Sequence, residues 1–285
     1  MSVVTTDDEV RAERVSDLLR RLATYDAVVV AFSGGADSAL LLAAAVRALG
    51  RDRVTAATAV SPSLPAAELD AATAFARGLG VRHLTPRTDE MSRDGYRANG
   101  GDRCYFCKAE LLDTLTPLAA ERGAVVVTGT NADDAVAGFR PGIRAAAQRG
   151  AQTPLRDAGL TKQQVRDTSR EWGLPTWDKP AAACLSSRIA YGLAISPARL
   201  ARVERAEARV RARLLQAGHR VTDLRVRDLG AGRARIEVSP ALVGFLVGES
   251  GLLPEFEAVE VRAFRSGSMN EALAGIAVGA SGESD

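Results

Sequence analysis

The run Val28-Val29-Val30-Ala31-Phe32-Ser33-Gly34-Gly35-Ala36-Asp37-Ser38, which continues into Ala39-Leu40-Leu41-Leu42, leaves this chain few folds to choose from. An apolar stretch gives way to a glycine pair and then to helix-forming residues, the pattern of a buried strand, a tight turn and a new helix. Gly34 and Gly35 let the backbone turn sharply and approach a ligand closely. A helix opening at that turn aims its free N–H groups and the positive end of its dipole at whatever occupies it, so a phosphate or pyrophosphate is the expected guest. Asp37 and Ser38 fall in the first helical turn, where they can act as metal ligand, cap or phosphate contact.

The motif reads S-G-G-x-D-S, which is neither the lysine-bearing P-loop nor the dinucleotide turn. It resembles the loop of ATP-pyrophosphatases, which cleave ATP between its α- and β-phosphates and adenylate a substrate. Its surroundings agree with such a site. Apolar strands at Ala27–Phe32, Arg53–Val60, Val81–Leu84 and Ala124–Gly129 alternate with helical patterns at Glu9–Leu22, Ser38–Leu49, Ala66–Leu79 and Ala109–Arg122. That alternation predicts an α/β fold whose parallel sheet is covered on both faces. Ligands of such sheets bind beyond the carboxyl ends of the strands, so Ser33–Ser38 and Gly129–Asp134 are expected to face one crevice.

After Gly192 the pattern changes. A long arginine-rich helix, Pro197–Ala217, precedes alternating strands at Val221–Leu229 and Arg233–Ser239, a short helix near Pro240–Val247 and a last strand at Ala258–Phe264. This predicts a small α+β domain with antiparallel strands, over 193–275, following an ATP domain over 1–192. The tail 276–285 has nothing to bury and is expected to be disordered. The chain has 285 residues, 46% of them hydrophobic, enough for one large domain or two ordinary ones. A net charge of +2, from 37 basic and 35 acidic residues, gives no bulk signal for nucleic acid. No apolar run of about 18 residues predicts a membrane span. The acidic, polar N-terminus lacks a signal-peptide pattern, so the expected location is the cytoplasm.

Several clusters carry chemistry. Gly129-Thr130-Asn131-Ala132-Asp133-Asp134 puts two adjacent carboxylates after a strand, a pattern that suits Mg²⁺ shared with phosphate oxygens or an ordinary capped turn. Arg140-Pro141-Gly142 reads as a surface turn or as a phosphate-gripping guanidinium. Arg225 and Arg227, two apart on a strand, share a face and suit phosphate or carboxylate. Glu207, on the long helix, reads as a base or an ion-pair partner.

The three cysteines are Cys104, Cys107 and Cys184. An odd number argues against a disulfide framework. Cys104 and Cys107 form a C-x-x-C pair, which leaves several readings open. A structural zinc would need His83 or His219 as fourth ligand. A redox pair is a second possibility, and a reactive, sacrificial or persulfidated cysteine a third. Three soft ligands without an obvious fourth best suit an iron–sulfur cluster with one open iron.

Taken together, the motifs resemble the LarE-type ATP-dependent sulfur transferases, which make the nickel-pincer nucleotide cofactor of lactate racemase. The resemblance runs from about residue 12 to 272. It rests on S-G-G-x-D-S, Arg103-Cys104-Tyr105-Phe106-Cys107-Lys108, Gly129–Asp134, and Cys184-Leu185-Ser186-Ser187-Arg188 followed by Tyr191-Gly192. Arg225-Val226-Arg227, Ala234-Arg235-Ile236-Glu237 and Arg265-Ser266-Gly267-Ser268-Met269-Asn270 extend it.

The resemblance implies that ATP adenylates the carboxylates of pyridinium-3,5-biscarboxylic acid mononucleotide, that pyrophosphate leaves, and that sulfur then displaces AMP to give thiocarboxylates. It implies a nucleotide site at Ala31, Ser33, Gly34, Gly35, Asp37 and Ser38, completed by Thr58, Gly129, Thr130 and Asp134, with Mg²⁺ on Asp37 and Asp134. Substrate is expected at Ser187, Arg188, Arg225 and Arg227. Catalytic roles fall to Asp37, Arg188, Glu207 and the three cysteines. Some members take sulfur from a cysteine at the position of Cys184; others hold a 4Fe–4S cluster on three cysteines. The pattern here matches the second kind, so Cys104, Cys107 and Cys184 are expected as cluster ligands, with sulfide or another sulfur donor as a partner. The family further implies a homo-oligomer, with a hexamer among the states. A tRNA thiolase is the rival, though near-neutral charge and only three cysteines count against it. An amide-forming ATP-pyrophosphatase would leave the cysteines idle, and a non-catalytic nucleotide-binding module would leave both cysteines and paired arginines without a role.

Overall fold

The strand β1 (Val28–Ala31) is apolar at every position because both faces of its sheet are covered: Val28 and Val30, with Phe32 just beyond the strand, enter one core and Val29 and Ala31 another. The structure, a computed structural model, describes residues 6–136, 140–180, 184–249 and 251–265. The expected tail at 276–285 and residues 266–270 of the last motif lie outside the described residues.

In chain order the first elements are α1 (Asp7–Ala23), β1 (Val28–Ala31), α2 (Ala36–Leu49), β2 (Val54–Ala57), α3 (Ala66–Gly78), β3 (Arg82–Leu84), α4 (Asp94–Arg97), α5 (Arg103–Ala120) and β4 (Val125–Thr128). They are followed by α6 (Ala132–Val136), α7 (Pro141–Gln148), α8 (Pro154–Asp157), α9 (Lys162–Glu171), α10 (Pro197–Gln216), β5 (Leu224–Gly230), β6 (Arg233–Val238), α11 (Pro240–Val247) and β7 (Ala258–Ala263). Two compact units share them. One takes Met1–Glu90 with Cys104–Ala182, the other Met91–Arg103 with Ala183–Asp285. The chain thus crosses between units three times, after Glu90, immediately before Cys104 and just before Cys184, whereas the sequence suggested one crossing near 191–196.

The first unit is an α/β fold, as expected. Its parallel sheet has the order β3-β2-β1-β4, with Val28 opposite both Val54 and Val125. α2 is apolar from Ala39 to Ala45 because that stretch is sunk in the core: Leu40, Leu41 and Leu42 are all fully buried. Each such side chain contributes roughly 1.5–3 kcal/mol relative to exposure. Leu112, Leu115 and Ala119 of α5 cover the opposite face. Strand order reverses between β1 and β4, and a doubly covered sheet opens its ligand crevice at such a point.

Three local expectations need correction. α5 begins at Arg103 rather than Ala109, so both Cys104 and Cys107 lie in its first turns. Arg140-Pro141-Gly142 is not a turn: Pro141 opens α7, where its missing N–H costs nothing. The second unit's sheet, of order β5-β6-β7, is mixed, because β5 and β6 pair antiparallel but β6 and β7 pair parallel. The helix α11 between β6 and β7 supplies the crossover that parallel pairing needs. In this unit Val210 and Leu214 of α10 pack with Leu224, Val226, Ile236 and Val238.

Candidate active site

The loop after β1 is wired from within. Ser38 Oγ donates to the Gly35 carbonyl at 3.1 Å and accepts from the Ser33 amide at 3.3 Å, while the Ser33 hydroxyl lies 3.2 Å from it. Gly34 sits at φ +72°, a left-handed conformation that glycine adopts without a Cβ clash. The turn therefore presents Gly35 and the start of α2 to the crevice. On the neighbouring strand end, Gly129 is forced by packing. A Cβ there would stand 2.9 Å from the Ser38 amide nitrogen and 3.1 Å from the Asp37 carbonyl carbon. These are backbone atoms and cannot swing aside, so Gly129→Ala should displace the α2 N-terminus. Overpacking of this kind costs about 1–3 kcal/mol, and we expect the Kd for ATP, measured by calorimetry, to rise about tenfold. An unchanged Kd would show that the end of β4 does not brace the loop.

Between the loops lies a cavity of about 290 Å³, near the lower end of small-ligand pockets. Ser33, Gly35 and Asp37 line it with Gly129, Thr130 and Asp134; Ala31, Ala57, Leu64 and Leu111 give it an apolar side. Thr58, also in the wall, donates its hydroxyl to the Phe32 carbonyl at 2.7 Å. His83 Nε2 lies 2.9 Å from that hydroxyl. Because Thr58 has spent its proton, His83 must donate from Nε2, which its neutral form does. Burial lowers the His83 pKa and favours that form. Lys108, half-buried in the wall, has its pKa drawn down by loss of solvent, with Cys107 and Asp134 acting against the shift.

Asn131 joins the two acidic loops. Its Nδ2 donates to Asp37 Oδ1 at 3.1 Å, its Oδ1 accepts the Asp134 amide at 3.1 Å, and its own amide donates to Asp134 Oδ2 at 3.3 Å. The last two bonds cap α6. The sequence motif included Asn131 without giving it a task. Two lysines were missed altogether. Lys162 Nζ donates to Asp37 Oδ2 at 2.5 Å, from the first position of α9, where the helix dipole disfavours a cation. Lys179 Nζ donates to the Gly34 carbonyl at 3.0 Å and to Glu68 Oε2 at 2.7 Å. The capping box Thr161/Gln164 signals α9 in the sequence, but nothing local links Lys162 to Asp37. Arg140 reaches Asp134 Oδ1 at 3.7 Å.

The second unit gathers the remaining candidates. Cys184 precedes a 3₁₀ turn, Leu185–Arg188, and its carbonyl accepts from the Ser187 amide at 3.0 Å and hydroxyl at 2.8 Å, and from Arg188 Nη1 at 3.3 Å. Arg188 grips Glu207 with two bonds of 2.7 and 3.2 Å. Glu207 also accepts the Val226 amide at 3.0 Å, so it holds β5 and Arg188 together. Arg227 is buried against Glu237 at 2.7 Å and donates to the Ser187 carbonyl at 2.6 Å. Arg225 lies with its guanidinium 5.4 Å from the centre of the Phe264 ring. Burial lowers its pKa, and Arg188 adds to the effect while Glu207 opposes it. Arg227 also lowers it, although Arg188 and Arg227 are themselves paired with Glu207 and Glu237.

The donor sets fit the expected groups unequally. Mg²⁺ takes one or two protein carboxylates and completes its shell with phosphate oxygens and water. Asp37 and Asp134, on one cavity and joined through Asn131, fit that demand. A 4Fe–4S cluster needs three gathered thiolates. Among the described residues no group of three His, Cys, Asp or Glu side chains is placed to hold a metal, and Cys104 and Cys107 belong to one unit and Cys184 to the other. Among the described residues, no helix is long and apolar enough to cross a membrane.

Comparison with known proteins agrees with this geometry. A family model described as NAD synthase matches residues 11–186. The chain is 40% identical over 271 residues to an uncharacterized protein of Synechocystis sp., covering 91% of this chain and 98% of the relative. It is 33% identical over 270 residues to the pyridinium-3,5-bisthiocarboxylic acid mononucleotide synthase of Lactiplantibacillus plantarum, covering 92% and 95%. An uncharacterized protein of Methanocaldococcus jannaschii is 26% identical over 184 residues, covering 63% and 68%. A glycine-rich first βα turn facing an acidic second loop, and full-length likeness to that synthase, lead to one assignment: the chain belongs to the NAD synthase family of PP-loop proteins and, within it, to the LarE type.

Proposed function

We propose that this protein is an ATP-dependent sulfur transferase that converts the carboxylates of pyridinium-3,5-biscarboxylic acid mononucleotide into thiocarboxylates. The observation that carries the reading is the cavity where β1 and β4 end, with Asp37 and the start of α2 in its wall. The likeness to the synthase supports the choice of substrate.

A carboxylate is a poor electrophile until it gains a leaving group. In the first step a substrate carboxylate oxygen attacks the α-phosphorus of ATP. The bond to the bridging oxygen breaks, pyrophosphate leaves with its electrons, and an acyl-adenylate forms. The N–H groups of the Ser33–Ser38 loop hold the departing phosphates, and Lys162 and Lys108 offset their charge. Asp37 and Asp134 would hold Mg²⁺, which supplies further charge neutralisation at the phosphates when bound. Arg225, Arg188 and Ser187 bind the substrate's own phosphate, and Arg227 braces that group through the Ser187 carbonyl.

Sulfur then displaces AMP. The route whose atoms close on this chain's own residues uses Cys184. Its Sγ adds to the acyl carbon, the C–O bond to AMP breaks, and a thioester forms. Loss of the Cys184 Cα proton and cleavage of its Cβ–Sγ bond release the thiocarboxylate and leave dehydroalanine.

The test is anaerobic incubation with ATP, Mg²⁺ and the dicarboxylate nucleotide, reading pyrophosphate, thiocarboxylate and the mass of the Cys184 peptide. Cys184→Ala should still release pyrophosphate but form no thiocarboxylate. Thiocarboxylate from that variant would overturn the role of Cys184, and pyrophosphate absent from the natural chain would overturn the adenylation step. Bound iron and labile sulfide, with Cys184 intact after turnover, would move the sulfur source to a cluster.

A further inference from the structure

The segment 91–103 leaves the ATP unit and is laced into the second unit beside the stretch that follows Cys184. Asn99, at φ +55°, is fully buried, and its Nδ2 donates to the carbonyls of Ile189, Ala190 and Leu193 at 3.3, 2.9 and 3.0 Å. A non-glycine residue in that conformation costs about 1 kcal/mol or more and persists only where its surroundings enforce it. The Asn99 carbonyl accepts from the Gly192 amide at 3.3 Å, and the Arg97 carbonyl from the Ile195 amide at 2.9 Å.

Two side chains of this segment converge on a single residue, Ser186. Arg103, 5% exposed, donates from Nη1 to the Ser186 carbonyl at 3.0 Å and to Asn99 Oδ1 at 2.5 Å. Its guanidinium lies 5.5 Å from the centre of the Tyr191 ring. The Tyr96 hydroxyl, also buried, lies 2.5 Å from Ser186 Oγ. Ser186 is fully buried and sits inside the 3₁₀ turn that begins after Cys184 and ends at Arg188. Fixing the Ser186 carbonyl and hydroxyl fixes the plane of that turn. Cys184 caps that turn at one end, its carbonyl held by Ser187 and Arg188, and Arg188 closes it at the other.

We propose that Arg103 is a positioning residue for sulfur transfer, acting through Ser186 to set the turn that carries Cys184 and Arg188. Tyr96 shares the task through the Ser186 hydroxyl. The proposal rests on the sulfur-transfer reading above and deepens it. Misplacement of a reacting group by about 1 Å costs on the order of 10²-fold in rate, so a side chain that never touches substrate can govern this step. ATP binding, whose groups lie on the β1 and β4 loops, needs none of these contacts.

The test uses the full chain as Arg103→Met, Arg103→Lys and Tyr96→Phe, purified anaerobically. Arg103→Met should bind ATP with a Kd within about twofold of the natural chain while thiocarboxylate formation falls at least about tenfold. Tyr96→Phe should fall less, and Arg103→Lys should recover part of the loss because it keeps a donor toward the Ser186 carbonyl. The rate of Cys184 alkylation by iodoacetamide, read by peptide mapping against pH, should change at least about threefold in Arg103→Met, which a distant loss of stability does not cause. An unchanged thiocarboxylate rate would overturn the proposal. So would an equal loss of ATP affinity, or losses that track the unfolded fraction at the assay temperature. If the natural chain makes no thiocarboxylate, the sulfur-transfer reading fails separately. The alkylation rate then decides: a change in Arg103→Met upholds the positioning of Cys184, and no change overturns it.

Discussion

Asp37→Ala is expected to lower pyrophosphate release by about 10²–10³-fold, the range seen when one preorganised electrostatic group is removed from a reacting centre. Asp37 has three tasks in the geometry. It stands in the first turn of α2 at the cavity wall, accepts from Asn131 at 3.1 Å and holds Lys162 at 2.5 Å. Alanine removes a carboxylate for Mg²⁺ and releases the lysine from the position it takes against the α9 dipole. Stability should hardly change, which separates chemistry from folding. The Asp37 and Lys162 side chains are 24% and 37% exposed, and ion pairs that water reaches contribute about 0–1 kcal/mol. Quenched-flow measurement of pyrophosphate, with thermal unfolding run in parallel, checks both halves. Asp37→Asn keeps the shape and loses the charge, so it should behave like alanine. A rate within about threefold of the natural chain in both variants would remove Asp37 from the adenylation step.

How far the sequence reveals such a residue depends on what places it. The Ser33–Ser38 loop was legible because strand, glycine pair and helix start are contiguous, so local chemistry implies local geometry. Strands and helices from Glu9 to Gly129 were legible for the same reason, since apolar runs and helical spacing report burial directly. Asp134 was legible as a neighbour of that loop only through the rule that parallel sheets bind ligands at one edge. Lys162 was not, because only the fold brings residue 162 to residue 37. The early start of α5 was hidden by Gly100-Gly101-Asp102, which reads as loop up to the cysteines. Parallel pairing of β7 was hidden because alternation reports which face of a strand is buried but not its direction. The passage of 91–103 into the second unit had no sequence signal at all. It is made by buried polar bonds of Tyr96, Asn99 and Arg103 to residues some ninety positions away.

The second unit should be far more sensitive to Asp228→Ala than to any surface charge. Asp228 is fully buried on β5, and its carboxylate accepts from Arg199 at 2.9 Å, from Arg202, and from the Gly230 amide at 2.9 Å. Burial alone would raise its pKa. Arg202, the Gly230 amide and Arg199 together reverse that and hold it below the ordinary carboxylate value. Removing the carboxylate leaves two guanidiniums facing each other and a buried amide without its acceptor. Breaking a buried pair in this way costs about 3–5 kcal/mol; because the arginines are 28–30% exposed and partly hydrated, about 3 kcal/mol is expected. Asp94→Ala, which breaks the exposed Arg97 pair, should cost less than about 0.5 kcal/mol and serves as the control. The pH dependence follows from the sign of the shift. With the folded pKa depressed, the stabilisation is fully present above the unfolded value of about 4 and is lost as pH falls through the folded value. Urea unfolding at pH 7 and pH 3 should therefore show the Asp228→Ala deficit shrinking in acid. The effect reaches the Cys184 turn, because the Asp228 carbonyl accepts from the Ala190 amide at 3.0 Å and Ile189 bridges to the same residue. Hydrogen exchange at Ala190 should accelerate together with the β5–β6 amides in the variant, and a deficit unchanged between the two pH values would show that the carboxylate charge is not what holds this strand.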